Sequence, residues 1–303
     1  MPLWLPGYEA SFGPLNPTTR AAPAADLGGH HRPPPPTHAK TDGASGTGHH
    51  QARLPAAQPD PLGTNQWDQD QPGFLEADTV AHCGASMAGQ FANSLDCVDI
   101  ATTWTEQRAV WGRGEQGVLQ QLQDIEESLP FDIRGFDCDN GAEFLNRHLV
   151  RHFTQRSQPV LFTRSRACQK TTTPTSNRKT GPTSASGSGY ERFDDPALVP
   201  LLNDLYRTEW RLFHNFFCPS VKLLEKNASA PEPRKRYDTP KTPYQRVMES
   251  DYIPRKTKIA LTAQFRTLNP FVLRKAMEHK LKKIFDLCYK RTLCRQRPEP
   301  PLR

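Results

Sequence analysis

The order of apolar segments between residues 70 and 165 most constrains what this chain can fold into. Short apolar runs typical of strands alternate there with segments whose apolar side chains recur every three or four residues, the spacing of a buried helix face. The predicted strands are 75–80, 94–100, 105–110, 133–137 and 160–163, and the predicted helices are 117–128 and 143–155. This order predicts an α/β domain in which three antiparallel strands precede strands that alternate with helices.

The segments on either side of this region differ in composition. Residues 1–65 contain 12 of the 29 prolines and little apolar periodicity, which predicts a disordered segment. Residues 167–189 are rich in Thr, Ser, Pro and Gly, which predicts a loop. After this loop, the apolar spacing predicts a long helix at 196–217, in which Pro200 is compatible only with the first turn.

The positive charge is concentrated in the C-terminal part. The chain has a net charge of +7, whereas residues 226–303 alone have a surplus of 13, from 20 Lys and Arg against 7 Asp and Glu. We predict a basic linker at 226–260 and a final helix at 269–287. A polyanion is the expected partner of such a region. The DNA-binding candidates on the final helix are Arg274, Lys275, Lys282 and Lys283.

Cysteine usage and hydropathy narrow the expected compartment. Seven cysteines without a CxxC pair argue against a disulfide framework and against a structural zinc site. No apolar run is as long as a membrane span, and no signal peptide is visible after Met1. These features favour a reducing cytoplasm and no membrane partner.

Two aspartates stand where predicted strands end. Asp78 ends one apolar run, and Asp139 follows the strand predicted at 133–137. An ordinary capped turn explains the Asp139-Asn140-Gly141 sequence by itself. Taken together, two strand-end carboxylates favour a site for Mg²⁺ or Mn²⁺, because these hard cations prefer oxygen ligands. Two such ions stabilise the attacking and leaving oxygens in phosphodiester cleavage.

Neighbouring polar side chains have simpler explanations. Glu76 and Asp137 share strand faces with the two aspartates, and we interpret them as outer or solvent-facing acids rather than metal ligands. His82 and Cys83 are adjacent, but a loop residue and a buried thiol explain them more simply than a ligand pair does.

Three longer segments resemble the integrase catalytic core of bacterial insertion-sequence transposases, which belong to the DDE superfamily with a retroviral-type core. The segments read FLEADTVAHCG (74–84), GFDCDNGAEFLN (135–146) and LVPLLNDLYRTEWRLFHNFF (198–217). The resemblance covers about residues 70–225. It implies an RNase H-like core of order βββαβαβ with C-terminal helices.

The resemblance also implies a function, which is metal-dependent phosphodiester cleavage and strand transfer in DNA integration. Asp78 and Asp139 match the first two acids of the DDE triad that binds Mg²⁺ or Mn²⁺. The implied partner is DNA, as insertion-sequence ends and target, with a homo-oligomer assembled on it at the nucleoid of a bacterial cytoplasm. The implied domains are a catalytic core at 66–225 and a basic region at 226–303.

The third acid of the triad is missing. By count it falls at Asn177, within the loop at 167–189. Codons for residues 171–186 can be chosen so that a frame shifted by two bases encodes Asp-His-Ala-His-Val-Glu-Gln-Lys-Asn-Trp, which resembles the missing motif. Codons for residues 23–36 can likewise be chosen so that a frame shifted by one base encodes a sequence that resembles part of a helix-turn-helix. We therefore interpret residues 1–65 and this loop as out-of-frame remnants, and we expect impaired strand transfer.

Two other interpretations stay open. In the first, the chain is an active nuclease or recombinase in which another acid, such as Glu191, completes the site. Alternatively, the chain is a non-catalytic nucleic-acid-binding protein that retains the fold as a scaffold. Metal-dependent DNA cutting distinguishes the first of these from the second.

Overall fold

A five-stranded mixed sheet lies at the centre of the molecule. The computed structural model describes residues 10–11, 70–112, 114–138, 147–164, 191–227 and 234–295. The strands of the sheet are β1 (Phe74–Ala81), β2 (Ala92–Asp99), β3 (Thr105–Trp111), β4 (Gly135–Cys138) and β5 (Leu161–Arg164). They lie in the order β3-β2-β1-β4-β5. β1 pairs antiparallel with β2 and β2 with β3, whereas the β1–β4 and β4–β5 pairs are parallel.

One side of the sheet is covered by two helices that lie between the parallel strands in the chain. They are α1 (Glu115–Ser128) and α2 (Arg147–Thr154). The inward residues of α1 recur every three or four positions, as the sequence predicts, and are Val118, Leu122 and Ile125. The sheet contributes Leu75, Ala77, Leu95, Cys97, Phe136 and Phe162 to the same cluster. We call this side of the sheet the apolar face.

A second group of helices covers part of the opposite side. These helices are α3 (Leu198–Leu205), a π-helix (Tyr206–Trp210) that continues it, and α4 (Arg211–Phe217). Their apolar stripe packs on Ala92 and Ala109 of the sheet and on a later helix. The long helix predicted at 196–217 is therefore confirmed, and its start places Pro200 in the first turn. The π-helical widening in its middle is not predicted by the sequence.

Two asparagines of this helical run protect the outer edge of the sheet. β3 is an edge strand, so one row of its main-chain groups lacks a neighbouring strand. Asn203 accepts from the Ala109 N–H (2.7 Å) and donates to the Ala109 carbonyl (3.0 Å). Asn215 makes the same pair of bonds with Thr105, at 2.9 and 2.8 Å. These side chains satisfy buried main-chain groups, as buried polar groups require.

The C-terminal part contains regular structure where the sequence predicts a linker. Its elements are β6 (Leu223–Asn227), β7 (Arg234–Tyr237), α5 (Pro243–Glu249), α6 (Arg255–Thr267) and α7 (Pro270–Arg295). The predicted linker at 226–260 is wrong, because α5 and the start of α6 lie within it. A capping box at Thr242 and Gln245 fixes the start of α5. The sequence contains that signal as Thr242-Pro243-Tyr244-Gln245.

Two apolar clusters join the C-terminal helices to the rest of the molecule. Met277, Ile284 and Cys288 of α7 pack with the α3 and π-helix stripe. Trp104 and Phe216 form a further cluster with side chains of α5 and α6, namely Tyr244, Val247 and Leu261. The basic C-terminal helices are thus positioned by apolar packing, which leaves their charged sides outward.

The five predicted strands are confirmed, with boundaries that move by at most two residues. Apart from residues 10–11, the segments predicted to be disordered or loop, 1–65 and 167–189, lie outside the described residues. Among the helices that the structure describes, none combines the length and the hydropathy that a bilayer span requires.

Candidate functional site

Acidic residues are concentrated on the sheet side opposite the apolar face. Side chains alternate along a strand, and directly paired residues of neighbouring strands share a side. The strand register therefore places Glu76, Asp78, Asp96 and Asp137 on one side of three adjacent strands, β2, β1 and β4. We call this side the carboxylate face.

One row of the carboxylate face joins the two aspartates of the antiparallel strands. Asp78 of β1 is aligned with Asp96 of β2, which is in turn aligned with Gln107 of β3. Asp78 is exposed, whereas Asp96 is only 1% exposed. Along this row the side chains pass from the exposed Asp78 to the part of the carboxylate face that α3 and the π-helix cover.

A second row crosses the parallel strands. Glu76 of β1 is aligned with Asp137 of β4, and Asp137 with Thr163 of β5. Asp137 is buried, and its Oδ1 accepts from the Thr163 hydroxyl at 2.8 Å. Neighbouring strands lie about 4.8 Å apart. Carboxylates at this spacing disfavour one another's charged form, and a divalent cation offsets such repulsion.

Asp78 is the exposed member of the face. The main-chain N–H of Thr79 donates to its Oδ1 at 2.8 Å, which orients the carboxylate. Because the residue lies on the central strand and is open to solvent, its carboxylate is accessible without rearrangement of the core. The structure thus places this predicted ligand in an accessible position.

Asp139, the predicted partner of Asp78, lies outside the described residues, and so does Asn177, which occupies the position of the missing third acid. β4 ends at Cys138, which is aligned with Ala77, the residue before Asp78. Across the described ranges, no three or more His, Cys, Asp and Glu side chains are arranged to hold a metal ion.

A buried hydrogen-bonded chain borders the carboxylate face beyond Asp78. His82 Nε2 lies 2.7 Å from Ser94 Oγ, which lies 2.8 Å from the Tyr206 hydroxyl of the π-helix. Burial lowers the pKa of His82 to about 4, so the ring is neutral at physiological pH. Burial also raises the pKa of Tyr206, the Ser94 hydrogen bond opposes this rise, and the charge of Asp96 adds to it. His82 therefore serves a structural role here and is not paired with Cys83 as a ligand.

The loop after β1 is held by an arginine from the segment that precedes α3. Arg192 donates to the carbonyl oxygens of Cys83 (2.9 Å), Ser86 (2.5 Å) and Ala88. Cys83 and Arg192 also form an isolated antiparallel bridge. The segment after residue 190 is in this way fixed to the end of the central strand.

The alternative acid considered from the sequence faces a different partner. Glu191 accepts from the Tyr289 hydroxyl of α7 at 2.8 Å. This bond links Glu191 to the C-terminal helix.

The four basic candidates on α7 do not share one side of the helix. All four are exposed, but Arg274 forms an ion pair with Glu278 at 3.0 Å. At 3.6 residues per turn, Arg274 and Lys283 point to opposite sides, whereas Lys275 and Lys282 share one. Lys280 is occupied by Asp204 and Glu209, at 2.7 and 2.6 Å.

Sequence reasoning missed Asp96 and Arg192 as neighbours of the predicted site. The alignment of Asp96 with Asp78 depends on the register of β1 and β2, which two isolated strand patterns do not specify. The hydrogen bonds from Arg192 to the carbonyl oxygens of the loop, including that of Gln90 at 3.5 Å, join residues that are 102 to 109 positions apart in the chain. For Asp96, the sequence offers only the alternation of polar residues at 94 and 96, which is typical of one side of a strand.

Comparison with known proteins gives one curated relative and no family. The uncharacterized protein y4rM of Sinorhizobium fredii is 36% identical over 180 residues, which is 59% of this chain and 51% of that protein. This chain therefore spans about half the length of the curated relative it matches. No protein-family model matches the chain.

Proposed function

We propose that this chain is a DNA integration protein of the DDE type with impaired strand-transfer activity. The register of the two central parallel strands carries the proposal. It aligns Ala77 with Cys138, and in the sequence an aspartate follows each of them, Asp78 and Asp139. A sheet with three antiparallel strands and two added parallel strands, ordered β3-β2-β1-β4-β5, supports an RNase H-like core as the finer fold.

The residues present fit a hard divalent cation. The carboxylate face offers oxygen ligands, which Mg²⁺ and Mn²⁺ prefer, and Asp78 is open to solvent. Asp78 and Asp139 would hold the ion. When bound, it would stabilise negative charge on the reacting phosphodiester oxygens. Asp96 and Asp137 are buried, so they would shape the local field rather than take a ligand position.

The impairment follows from the chemistry at position 177. The chain carries a neutral amide at Asn177 where the resemblance implies a glutamate. Loss of one anionic ligand removes both geometry and charge from the site. Catalysis should therefore fall by orders of magnitude while binding of a first ion to the aspartates is retained.

Metal binding is the direct test of this site. Mn²⁺ binding by the purified chain is measured by electron paramagnetic resonance, with Asp78→Asn and the matched control Asp251→Asn, an exposed acid in a turn. We expect Asp78→Asn to weaken Mn²⁺ binding at least tenfold and the control to leave it unchanged. Equal binding by the two variants would remove Asp78 from the site.

The frame-loss interpretation has its own test. Residues 171–186 are replaced by the frame-restored peptide, and Mg²⁺-dependent cleavage of a donor end is assayed in both chains. The repaired chain should be faster by orders of magnitude, and faster still if the helix-turn-helix is restored as well. Equal rates would contradict the interpretation.

A non-catalytic nucleic-acid-binding protein is the second candidate. The basic helices of the C-terminal part favour it, because their charged sides face outward from the apolar clusters. If this candidate is correct, the chain binds DNA and Asp78→Asn leaves that binding intact. The chain in which residues 171–186 are replaced by the frame-restored peptide then does not cleave DNA.

A further inference from the structure

Among the helices without acidic residues that the structure describes, α6 has the most Lys and Arg residues. It contains four basic residues and no acid over 13 residues, in the sequence RKTKIALTAQFRT. The basic residues are Arg255, Lys256, Lys258 and Arg266. None of them forms an ion pair or a side-chain hydrogen bond with any residue that the structure describes. The side of α6 that faces the protein is apolar, through Leu261 and Phe265.

Several arginines elsewhere in the described chain form ion pairs with carboxylates. Arg108, Arg156 and Arg211 each pair with a carboxylate of a neighbouring element, namely Asp124, Glu126 and Glu106. The C-terminal part itself provides Asp238 for Arg246, at 2.6 Å. What distinguishes α6 is that all four of its basic side chains lack a described ion pair and that no acid lies among them, whereas α7 contains acids.

The position of these charges along α6 is also unfavourable for an isolated helix. Arg255, Lys256 and Lys258 lie in the first turn or next to it, where the helix dipole favours acids. The helix begins after Pro254, and no side chain caps it. Repulsion among the three cations and with the dipole is relieved when a polyanion is bound.

The exposed residues of α6 form one continuous side. Arg255, Ile259 and Arg266 are separated by four and seven residues, spacings that return to the same side of a helix. All three are exposed, and so is Ala263 between them. Arg255 and Arg266 are separated by about 16 Å along the axis at 1.5 Å per residue. A duplex presents about ten phosphate charges over that length.

We propose that this side of α6 is the principal contact of the protein with the phosphate backbone of duplex DNA. The inference rests on the proposed function, since that function supplies DNA as the partner. It assigns the contact to α6 rather than to α7, where acids such as Glu278 and Asp286 lie among the exposed basic residues. Contacts of this kind read no sequence, because they are made to phosphates and not to base edges.

The test compares two pairs of neutralised residues. Binding of the full chain to a fluorescent duplex oligonucleotide is measured by anisotropy over a range of salt concentrations. Arg255→Gln with Arg266→Gln removes two charges from α6, and Lys275→Gln with Lys282→Gln removes two from α7. Arg151→Gln, at an exposed position on α2, reports the effect of losing a charge elsewhere. The four side chains replaced on α6 and α7 form no ion pair with a described residue, so the variants should keep the fold. Circular dichroism of each variant checks this.

We expect the α6 pair to weaken binding at least tenfold and the α7 pair less than threefold. The α6 pair should also reduce the slope of log affinity against log salt by about two, close to one for each lost phosphate contact. An unchanged affinity in the α6 pair, or equal losses in both pairs, would overturn the assignment to α6 while leaving Mn²⁺ binding at Asp78 untouched. Failure of the unmodified chain to bind the duplex would overturn the DNA-binding part of the proposed function as well.

Discussion

The two sides of the central sheet use the same strands for opposite purposes. On the apolar face, Leu75 and Ala77 of β1 pack under α1 and α2. On the carboxylate face, Glu76 and Asp78 alternate with them along the same strand. Alternation lets one strand serve a core and a candidate site at once. The apolar face should therefore contribute most to stability, whereas the exposed part of the carboxylate face, at Asp78, should contribute little to it.

The largest effect should come from the apolar face. Leu122 of α1 is 1% exposed and lies within the apolar cluster. Leu122→Ala removes buried apolar surface and leaves a cavity, so it should lower the free energy of unfolding by about 4 kcal/mol. Urea denaturation measures this, with Leu224→Ala, at a residue 60% exposed, as a control that should change it little. A loss below about 1 kcal/mol in the core variant would mean that this face does not determine stability.

The next effect is a pH dependence at the border of the carboxylate face. Burial lowers the pKa of His82 to about 4, against an ordinary value of 6.5. The unfolded chain therefore binds a proton more readily than the folded one between these values. Stability from this residue is complete above the ordinary pKa and is lost as pH falls towards 4, by about 3 kcal/mol in total.

The control for the pH effect removes the titrating group. Unfolding free energies are compared at neutral pH and near pH 4.5, in the unmodified chain and in His82→Gln. The variant should lose less stability on acidification than the unmodified chain. The same loss in both would assign the pH dependence to other groups.

A smaller effect should distinguish the buried part of the carboxylate face from its exposed part. Thr163→Val removes the hydroxyl that donates to the buried Asp137 carboxylate at 2.8 Å. A buried charge that loses one donor should destabilise the fold by about 2 kcal/mol. Thr163→Ser keeps the hydroxyl and should retain more of the stability, which thermal denaturation of both variants will measure. Equal stability of the two variants would contradict a role for this bond.

The sequence predicts the strands and the long helix well because their signals are local. Alternation in 75–80 and helical spacing in 117–128 are each contained in one segment, and both elements are confirmed. The exposed position of Asp78 on the central strand agrees with the site hypothesis, whereas its alignment with Asp96 depends on strand register and is not visible in either strand alone.

The C-terminal part shows why local composition can mislead. The high content of Lys, Arg and Pro in 226–260 indicates a linker, yet α5 and α6 form there because Tyr244, Val247 and Leu261 reach an apolar cluster with Trp104. Tertiary burial of a few spaced apolar residues outweighs the average polarity of the segment. The edge protection by Asn203 likewise depends on a contact that only the fold creates.

The smallest effect on stability should come from the residue with the largest proposed effect on function. Asp78 is exposed, so replacing its carboxylate by an amide keeps an oxygen that accepts from the Thr79 N–H and relieves repulsion with the aligned Asp96. Asp78→Asn should therefore change the free energy of unfolding by no more than about 0.5 kcal/mol, in either direction. Urea denaturation without divalent ions measures this change beside Asp251→Asn.

Added Mn²⁺ should then stabilise the unmodified chain and the control, but not Asp78→Asn, since a ligand that binds only the folded state raises its stability. A loss of about 2 kcal/mol is on the order of a buried hydrogen bond to a charged group. If Asp78→Asn lowered the free energy of unfolding by that much or more without ions, Asp78 would belong to the core of the fold, and the division between the two faces would fail.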